Sequence, residues 1–411
     1  MKILPGVFIP IILIISAAIF LFLAGTNKIE IVAPDVSVAT SGTVIQTESQ
    51  KLDQLPAKPV DIENQKALAE PPKTIKAIYL TNWSAGNPAK IKYLIDLTKT
   101  TEINAVVIDI KDYSGYIAYD IKVPEVEKYQ AKEIRIPRIN RLIKQLHDEG
   151  IYTIARITIF QDPRLGKARP DLTVKSKKTG DSWLDNKKIT WIDPAAEEAW
   201  DYNIAIAKEI ASRGFDELNF DYIRFPSDGD LEDMGFPFWD EKIPKSSVIE
   251  NFFKTLRREL TGIKISADLF GLATINKDDL GIGQVIENAY QYFDYVAPMI
   301  YPSHYASGFL GYKNPALYPY EVIKYSMDSA FQRLKNYELG IRNSTSTEFL
   351  DSKSYVLNSK LRPWIQDFDL GADYNAEMVK KQILAVYDAA TSTPESLSGF
   401  MIWNPSNIYQ F

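Results

Sequence analysis

Cysteine is absent from the 411-residue sequence, and histidine occurs only twice. These absences exclude thiol nucleophiles, disulfides, cysteine-ligated zinc or iron–sulfur sites and any HExxH-type metal motif. Positive charge is not in excess either, because 47 Lys and Arg residues stand against 53 Asp and Glu residues. The net charge of -6 gives no field that attracts nucleic-acid phosphates or an anionic membrane surface. We therefore expect no nucleic-acid partner, no metal and no cofactor, and the composition leaves the oligomeric state open.

Aromatic residues are absent from one long stretch, residues 23–78. Apart from three phenylalanines before that stretch, every Phe, Trp and Tyr lies between Tyr79 and Phe411. The whole chain is 45% hydrophobic and 24% charged, which is typical of a globular protein. The uneven distribution predicts that one folded domain occupies residues 73–411.

The N-terminal residues 3–25 form an uncharged apolar run that is long enough to cross the hydrocarbon core of a bilayer as a helix. No clean A-x-A cleavage site follows the run, so we expect an uncleaved transmembrane anchor over residues 1–26, with a cleaved signal peptide as the alternative. The short N-terminus favours an orientation in which the rest of the chain is extracytoplasmic. The chain would be secreted if the segment were cleaved.

Residues 27–72 are rich in proline and polar residues and contain no aromatic residue. Such a segment buries too little apolar surface to offset its loss of conformational entropy. The sequence therefore predicts a flexible, disordered linker here.

From Lys76 onward, short β-rich runs alternate with amphipathic helical patterns. The alternation predicts an α/β domain with eight strands in a closed (β/α)8 TIM barrel. A doubly wound open sheet is the alternative, but no GxGxxG or GxxxxGK[ST] motif follows any strand. The predicted strands are 76–83, 105–112, 152–160, 217–225, 264–271, 295–303, 361–368 and 399–406, and the predicted helices are 88–100, 138–149, 195–213, 247–260, 281–293, 319–334 and 375–390. No helix follows the last strand, so we expect part of residues 51–72 to cover that gap.

Polar and aromatic side chains collect at the predicted strand ends, where active groups of such barrels lie. Because side chains alternate along a strand, Asp221 points into the barrel if Asn219 does. An inward carboxylate is costly unless it is paired or catalytic, and a structural ion pair is the alternative for each one. The candidates are Trp83, Asp109, Lys111, Arg156, Asn219, Asp221, Arg224, Asp268, Tyr301, His304, Asp367, Trp403 and Asn404.

Two carboxylates, one protonated and one ionised, are the minimum equipment for hydrolysis of a glycosidic bond. Trp83, Trp403 and Tyr301 could stack on sugar faces at the same rim, and core packing is the alternative for each ring. His147 lies on a helix just before Gly150. We expect its side chain to be exposed on the surface.

Several runs of this sequence resemble a bacterial glycoside hydrolase family of TIM barrels that was long classified as a domain of unknown function. The resemblance covers about residues 75–411 and rests on NAVVIDIKDYSGYIAYD, ARITIFQDPRLGKARPDLTVK, WIDPAAEEAWDYNIAIAKEIASRGFDELNFDYIRFPSDG, ISADLFG, YVAPMIYPSHY, RPWIQDF and MIWNPSNIY. It implies a glycosidase barrel in which Asp221, at the end of strand 4, is the nucleophile or base. Asp268, at the end of strand 5, is then the candidate acid, in a place where α-amylase-type barrels have Glu.

The resemblance also implies roles for the residues around this pair. Asp367 would orient substrate, His304 would hydrogen-bond sugar hydroxyls, and Asp109, Arg156 and Arg224 would set charge and position. Lys111, Asn219, Tyr301, Trp83, Trp403 and Asn404 complete the predicted substrate-binding set.

We expect a membrane-anchored glycosidase whose partner is a carbohydrate substrate, an extracytoplasmic polysaccharide or cell-envelope glycan. A non-catalytic glycan-binding barrel that acts as an envelope scaffold is the alternative. A metal-dependent esterase or deacetylase is disfavoured, because two histidines on separate elements make a poor metal site.

Overall fold

A closed barrel of parallel strands forms the centre of the protein. The computed structural model describes residues 60–343 and 359–409. The barrel strands are β1 (Ile75–Leu80), β2 (Ala105–Lys111), β3 (Tyr152–Thr158), β4 (Glu217–Asp221), β5 (Ile265–Phe270), β6 (Tyr295–Met299), β7 in two pieces (Lys360–Leu361 and Trp364–Gln366) and β8 (Gly399–Trp403). Each strand pairs in parallel with the next, β8 pairs with β1, and β7 pairs with β6, so the sheet closes. The predicted (β/α)8 barrel is confirmed.

Helices follow the strands and cover the outside of the barrel. They are α1 (Asn82–Ala85), α2 (Pro88–Thr100), α3 (Pro124–Lys128), α4 (Ile139–Asp148), α5 (Pro163–Ala168), α6 (Glu197–Ser212), α7 (Lys245–Glu259), α8 (Ile286–Tyr292), α9 (Pro319–Asn343) and α10 (Ala376–Ala389). Local sequence explains several of their ends. Asn87 caps α2 by accepting a hydrogen bond from the Ala89 N–H, and Pro88 supplies a preset φ at the first helical position.

The strands end earlier at their C-terminal ends than the apolar pattern predicts. The fourth strand was predicted to reach residue 225, but β4 ends at Asp221 because Tyr222 adopts a left-handed backbone with φ 53°. The seventh strand is interrupted at Pro363, which has no N–H group to donate to the sheet. The polar residues that follow each strand are therefore in loops at the rim.

Buried apolar residues form two separate clusters. The larger cluster packs the outward faces of the strands against the helices. The smaller one lines the barrel interior, with inward residues two apart along each strand, such as Ala77 and Tyr79 on β1 and Ala105 and Val107 on β2. This interior also holds polar residues, and those residues form the site described below.

Residues 61–68 contact the barrel domain, although they fall in the segment predicted as a flexible linker. The Asp61 carboxylate accepts hydrogen bonds from the Asn140 and Arg141 N–H groups at 2.8 and 3.1 Å. The Leu68 N–H donates to the Asp216 carboxylate at 2.6 Å, just before β4. Residues 61–68 therefore pack near α4 and the start of β4, whereas residues 27–59 of the predicted linker lie outside the described residues.

The C-terminal residues lie over the junction of β8 and β1. The Asn407 side chain donates to the Tyr79 carbonyl at 3.0 Å, and the Tyr409 hydroxyl donates to the same carbonyl. The Tyr409 N–H donates to the Tyr93 hydroxyl of α2 at 3.0 Å. These contacts connect the end of the chain to the first strand and the helix that follows it.

His147 is not exposed, and the expectation from its position was wrong. Its side chain is 11% exposed, and Nε2 lies 3.0 Å from the Asp216 carboxylate and 3.1 Å from the Thr153 hydroxyl. The last turn of α4 faces the start of β3, so the same helix position that looked like surface lies against the sheet.

The predicted transmembrane segment, residues 1–26, lies outside the described residues. Within residues 60–343 and 359–409, no helix has the length and apolarity needed to cross a membrane.

Candidate active site

Arg156 stands at the centre of a cluster of three carboxyl groups inside the barrel. Its Nη1 donates to Asp109 at 2.6 Å, its Nη2 donates to Asp221, and its Nε lies 3.8 Å from Asp268. These four residues come from the neighbouring strands β2 to β5 and are only 1–6% exposed. The tertiary structure thus brings four of the predicted site residues into direct contact at the C-terminal end of the barrel.

The geometry of β4 aims Asp221 into this cluster. Asn219 and Asp221 share the inward face of the strand, as the period of two predicts, because Asn219 contacts Asp268 and Asp221 contacts Arg156. The Tyr222 N–H donates to the second Asp221 oxygen at 2.6 Å, in the left-handed turn that ends the strand. Left-handed backbone at a residue other than glycine is strained, and such strain concentrates at functional sites.

Asp268 is held by neutral donors. The Asn219 amide and the Trp364 indole each donate to Asp268 Oδ1 at 2.8 Å. Burial, and next the nearby Asp221 carboxylate, raise the pKa of Asp268 well above its usual value. Three carboxyl groups around a single guanidinium cannot all ionise at low cost, and the raised pKa of Asp268 favours its protonated form.

Asp109 has a different environment on the other side of Arg156. Burial raises its pKa, while Arg156 and the Tyr79 hydroxyl, which donates to Asp109, act in the opposite direction. The Tyr79 ring stacks on Trp403 with a centroid distance of 3.8 Å, and the Arg156 guanidinium lies 5.0 Å from the Trp403 ring. Trp403 is therefore part of the packed wall of the site.

Two further predicted residues lie at the rim after β6. The Tyr301 ring is buried, and burial together with Asp268 and Asp221 raises the pKa of its hydroxyl. His304 is exposed, and its ring centroid lies 5.3 Å from that of Tyr301 and 6.1 Å from that of Phe368. A sugar that reached the carboxyl cluster from this side would pass these rings.

Arg224 lies in the loop after β4 and is surrounded by aromatic rings. Its guanidinium carbon is 4.6 Å from the Phe270 ring centroid, 4.8 Å from that of Trp191 and 5.2 Å from that of Tyr222. Burial lowers the pKa of Arg224.

Lys111 is not brought to the cluster, because a bulge in β2 changes its face. Asp109 pairs with Arg156 and Lys111 pairs with Ile157, so two steps on β2 correspond to one step on β3. The Lys111 ammonium is fully buried behind the barrel wall, 2.7 Å from the Asp162 carboxylate and 2.9 Å from the Asn203 amide oxygen. Its environment is that of a structural ion pair.

Asp367 and Asn404 lie at strand ends, and the Asn404 side chain contacts the C-terminal segment. The Asn404 amide donates to the Ile408 carbonyl at 2.6 Å and lies 3.5 Å from the Asp367 carboxylate. The Asn404 oxygen accepts from the Ser406 N–H and hydroxyl at 2.9 and 2.7 Å. These bonds shape the turn after β8.

Trp83 is the most exposed of the candidate rings. Its side chain, on α1 after β1, is 63% exposed, and the Arg135 guanidinium lies 4.8 Å from its ring centroid. Arg135 is itself held by the Asp112 carboxylate at 2.6 Å and the Glu133 carboxylate at 3.1 Å. The ring therefore stands at the rim with one face supported by a fixed cation.

Sequence reasoning missed three contributors to the barrel interior. Tyr79 binds Asp109, and its place two residues after Ala77 on the inward face of β1 was a usable signal. Glu217 and Arg362 form a fully buried ion pair at 2.8 Å on the N-terminal side of the cluster. Glu217 lies two residues before Asn219 on β4, so the alternation of side chains could have identified it as inward-facing. No signal in the sequence indicated that Arg362 of β7 pairs with it.

Metal binding has no obvious place in the described parts of the chain. Across residues 60–343 and 359–409, no three His, Asp or Glu side chains are grouped so that they could hold a metal ion.

Comparison with known proteins gives one family and several structures. Residues 77–409 match the model of a family described as "Putative glycosyl hydrolase domain". A hypothetical protein from Ruminiclostridium thermocellum is 38% identical with a TM-score of 0.43, and the match covers 50% of this chain and 98% of that chain. No curated protein matches the chain.

Two other similar structures carry glycoside hydrolase domains. The domain of PgaB (BpsB) from Bordetella bronchiseptica is 15% identical with a TM-score of 0.54, covering 82% of this chain and 95% of that chain. The domain of PelA from Pseudomonas aeruginosa is 12% identical with a TM-score of 0.41, covering 82% and 97%. At these identities the PgaB match establishes a shared fold.

Proposed function

Because the chain belongs to this glycosyl hydrolase domain family, as the sequence resemblance predicted, we propose that it is a glycosidase whose catalytic pair is Asp221 and Asp268. The family and the fold support a glycosidase-type function. The assignment of the pair goes further and rests on the carboxyl cluster at the C-terminal end of the barrel, where active sites of this fold lie.

The observation that carries the proposal is the opposite environment of the two carboxyl groups. Arg156 donates directly to Asp221, whereas Asp268 is buried against neutral donors and its pKa is raised well above the usual value. Glycoside hydrolysis needs one ionised and one protonated carboxyl group near the same bond. Asp221 then acts as nucleophile or base, and Asp268 protonates the departing sugar oxygen.

The acid role of Asp268 can be tested with leaving groups. Asp268→Asn should lose hydrolysis of glycans, whose sugar leaving group needs a proton, by about 100-fold or more. The same variant should retain most of its activity on the matching dinitrophenyl glycoside, whose leaving group needs none. An equal loss on both substrates would contradict the acid assignment.

A non-catalytic glycan-binding barrel remains the second candidate. It is favoured by the pairing of Arg156 with both Asp109 and Asp221, because these ion pairs neutralise part of the acidic charge of the cluster within the protein. Incubation of the full-length protein with a panel of cell-envelope polysaccharides, followed by measurement of released reducing ends, separates the two. Binding without release of reducing ends from any member of the panel would favour the scaffold.

We also propose that the barrel acts outside the cytoplasm on an envelope polysaccharide, tethered by residues 1–26. The support is the uncharged run over residues 3–25 in the sequence. Protease added to spheroplasts, from which the cell wall and any outer membrane have been removed, and to lysed spheroplasts tests this proposal. A barrel that is digested only after lysis, or that is found in the soluble fraction of disrupted cells, would overturn it.

A further inference from the structure

Arg224 is a buried cation beside the candidate catalytic pair, and its faces are covered by aromatic rings. It follows Asp221 by three residues, and one of its covering rings, Phe270, follows Asp268 by two residues. The ring centroids of Trp191 and Tyr222 lie 4.8 and 5.2 Å from the guanidinium carbon. The N–H donors of a guanidinium lie in the plane of the group, so its hydrogen bonds are made at the N–H edge.

That N–H edge is only partly used by the protein. Nη1 donates to the Phe225 carbonyl at 3.0 Å and to the Ser227 hydroxyl at 3.1 Å. Among the described residues, Nε and Nη2 of Arg224 have no hydrogen-bond partner, and neither atom is sealed from solvent. A guanidinium whose free donors still meet solvent is arranged to bind an additional acceptor.

Other buried cations of the barrel form direct ion pairs with carboxylates, whereas Arg224, within the described part of the chain, has only the longer-range attraction of Asp221, Asp228 and Asp185. Arg156, Arg362 and Lys111 each have a carboxylate oxygen within 2.8 Å. Asp185, a buried carboxylate in the preceding loop, is occupied by the Gln161 amide and the Trp191 indole at 3.0 Å each. Arg156, Arg362 and Lys111 thus each have a direct ion pair. Within residues 60–343 and 359–409, no carboxylate oxygen lies within 4.0 Å of an Arg224 nitrogen.

We propose that Arg224 binds an oxyanion on the glycan, so that the preferred substrate is an acidic polysaccharide. The group is the carboxylate of an acidic sugar or a phosphate attached to a sugar, because both present two oxygens to the fork of an arginine. The inference rests on the proposed function, since it assigns a subsite next to Asp221. It adds the chemical class of the substrate.

The proposal is tested by binding of the full-length protein to immobilised oligosaccharides. The probes are oligogalacturonate for the carboxylate, phosphorylated manno-oligosaccharide for the phosphate, and neutral manno- and cello-oligosaccharides. We expect one acidic probe to bind roughly 10- to 100-fold more tightly than its neutral counterpart, the effect of a charged hydrogen bond. The acidic probe that shows this preference identifies the oxyanion.

Three variants assign the preference to Arg224. Arg224→Met should lower the ratio of acidic to neutral binding to near one, and Arg224→Lys should lie between it and the wild type. Arg164→Met is the matched control, because Arg164 also stacks on a ring, that of Tyr116 at 4.0 Å, on the helix α5 away from the cluster. A merely structural role for Arg224 would weaken acidic and neutral binding together, and circular dichroism would report unfolding.

The outcomes separate this inference from the proposed function. Equal binding of acidic and neutral probes by the wild type, or an unchanged ratio in Arg224→Met, overturns the inference, even if neutral glycans are hydrolysed. Selective binding of an acidic glycan that depends on Arg224, without release of reducing ends, supports the inference and contradicts the glycosidase.

Discussion

The barrel interior holds two groups of charged side chains, which differ in the ratio of acidic to basic residues and in their access to solvent. On the N-terminal side, Glu217 and Arg362 pair one to one at 2.8 Å, and both side chains are fully buried. On the C-terminal side, Arg156 faces three carboxyl groups, and the side chains there retain a small exposure. The first grouping is closed and neutral, whereas the second has more acidic groups than it can neutralise.

We interpret this difference as a division between a stabilising ion pair and the proposed catalytic cluster. A matched pair sealed from water gains nothing by changing its protonation, so its role is to complete the interior. An unmatched cluster favours the protonated form of one carboxyl group, Asp268, at a stability cost that is common at functional sites. The predictions below test this division, from the largest expected effect to the smallest.

Asp221→Asn should reduce hydrolysis by about 1,000-fold or more, the scale expected when a carboxylate that participates directly in the reaction is removed. The free energy of unfolding should change by about 1 kcal/mol or less, because Asp109 still neutralises Arg156. Initial rates and urea unfolding measure the two quantities. Retained turnover in this variant would remove Asp221 from the reaction.

Glu217→Ala should have the opposite signature, with a loss of about 3–5 kcal/mol in the free energy of unfolding, because it leaves the Arg362 charge buried and unpaired. The kcat of the folded fraction should stay close to the wild-type value. The double variant Glu217→Leu with Arg362→Met should recover most of the stability, since it removes both charges. A kcat loss as large as that of Asp221→Asn would erase the distinction between the two groupings.

The pH dependence should isolate Asp268. Because the acid must be protonated, kcat/KM should fall about tenfold per pH unit above its raised pKa. A raised pKa in the folded state also means that the neutral carboxyl stabilises the fold at low pH. That contribution is lost as pH rises from the unfolded-state value through the folded-state pKa.

Asp268→Asn provides the control for both pH effects. It should lack the alkaline fall in its residual rate on an activated aryl glycoside, and its stability relative to the wild type should increase with pH through the same range. Rate profiles and thermal unfolding across that range check the two expectations. If the rate of the variant still fell with rising pH in the same way, the fall would be due to a group other than Asp268.

Trp83→Ala should have the smallest effect, an increase of roughly 3- to 10-fold in KM for long glycans with kcat and stability little changed, because the ring is largely exposed. Tyr325→Ala, which removes a 48% exposed ring from α9, is the matched control and should leave KM unchanged. Equal KM values for wild type and Trp83→Ala across a range of chain lengths would remove Trp83 from the binding surface.

Much of the fold followed from periodicity, and part of the site followed from alternation. Eight apolar runs separated by helical patterns predicted the barrel, and the spacing of Asn219 and Asp221 predicted which face they share. Lys111 shows where such counting fails, because a single bulge moved it from the interior to the outside of the wall. His147 and residues 61–68 show the same limit, since their polarity suggested surface or linker while the buried Asp216 supplied partners for both.

The amino-acid sequence alone determined the strand and helix order, the eight-stranded architecture, the family and the absence of any thiol. These properties depend on local periodicity and on residue types, which are readable along the chain. The tertiary structure decided which acidic groups share Arg156, which of them is held by neutral donors, and which cations keep free donors. These contacts are made between residues of β2, β3, β4, β5 and β7, which are far apart in the sequence. The free energy of a buried charge depends on its neighbours in space.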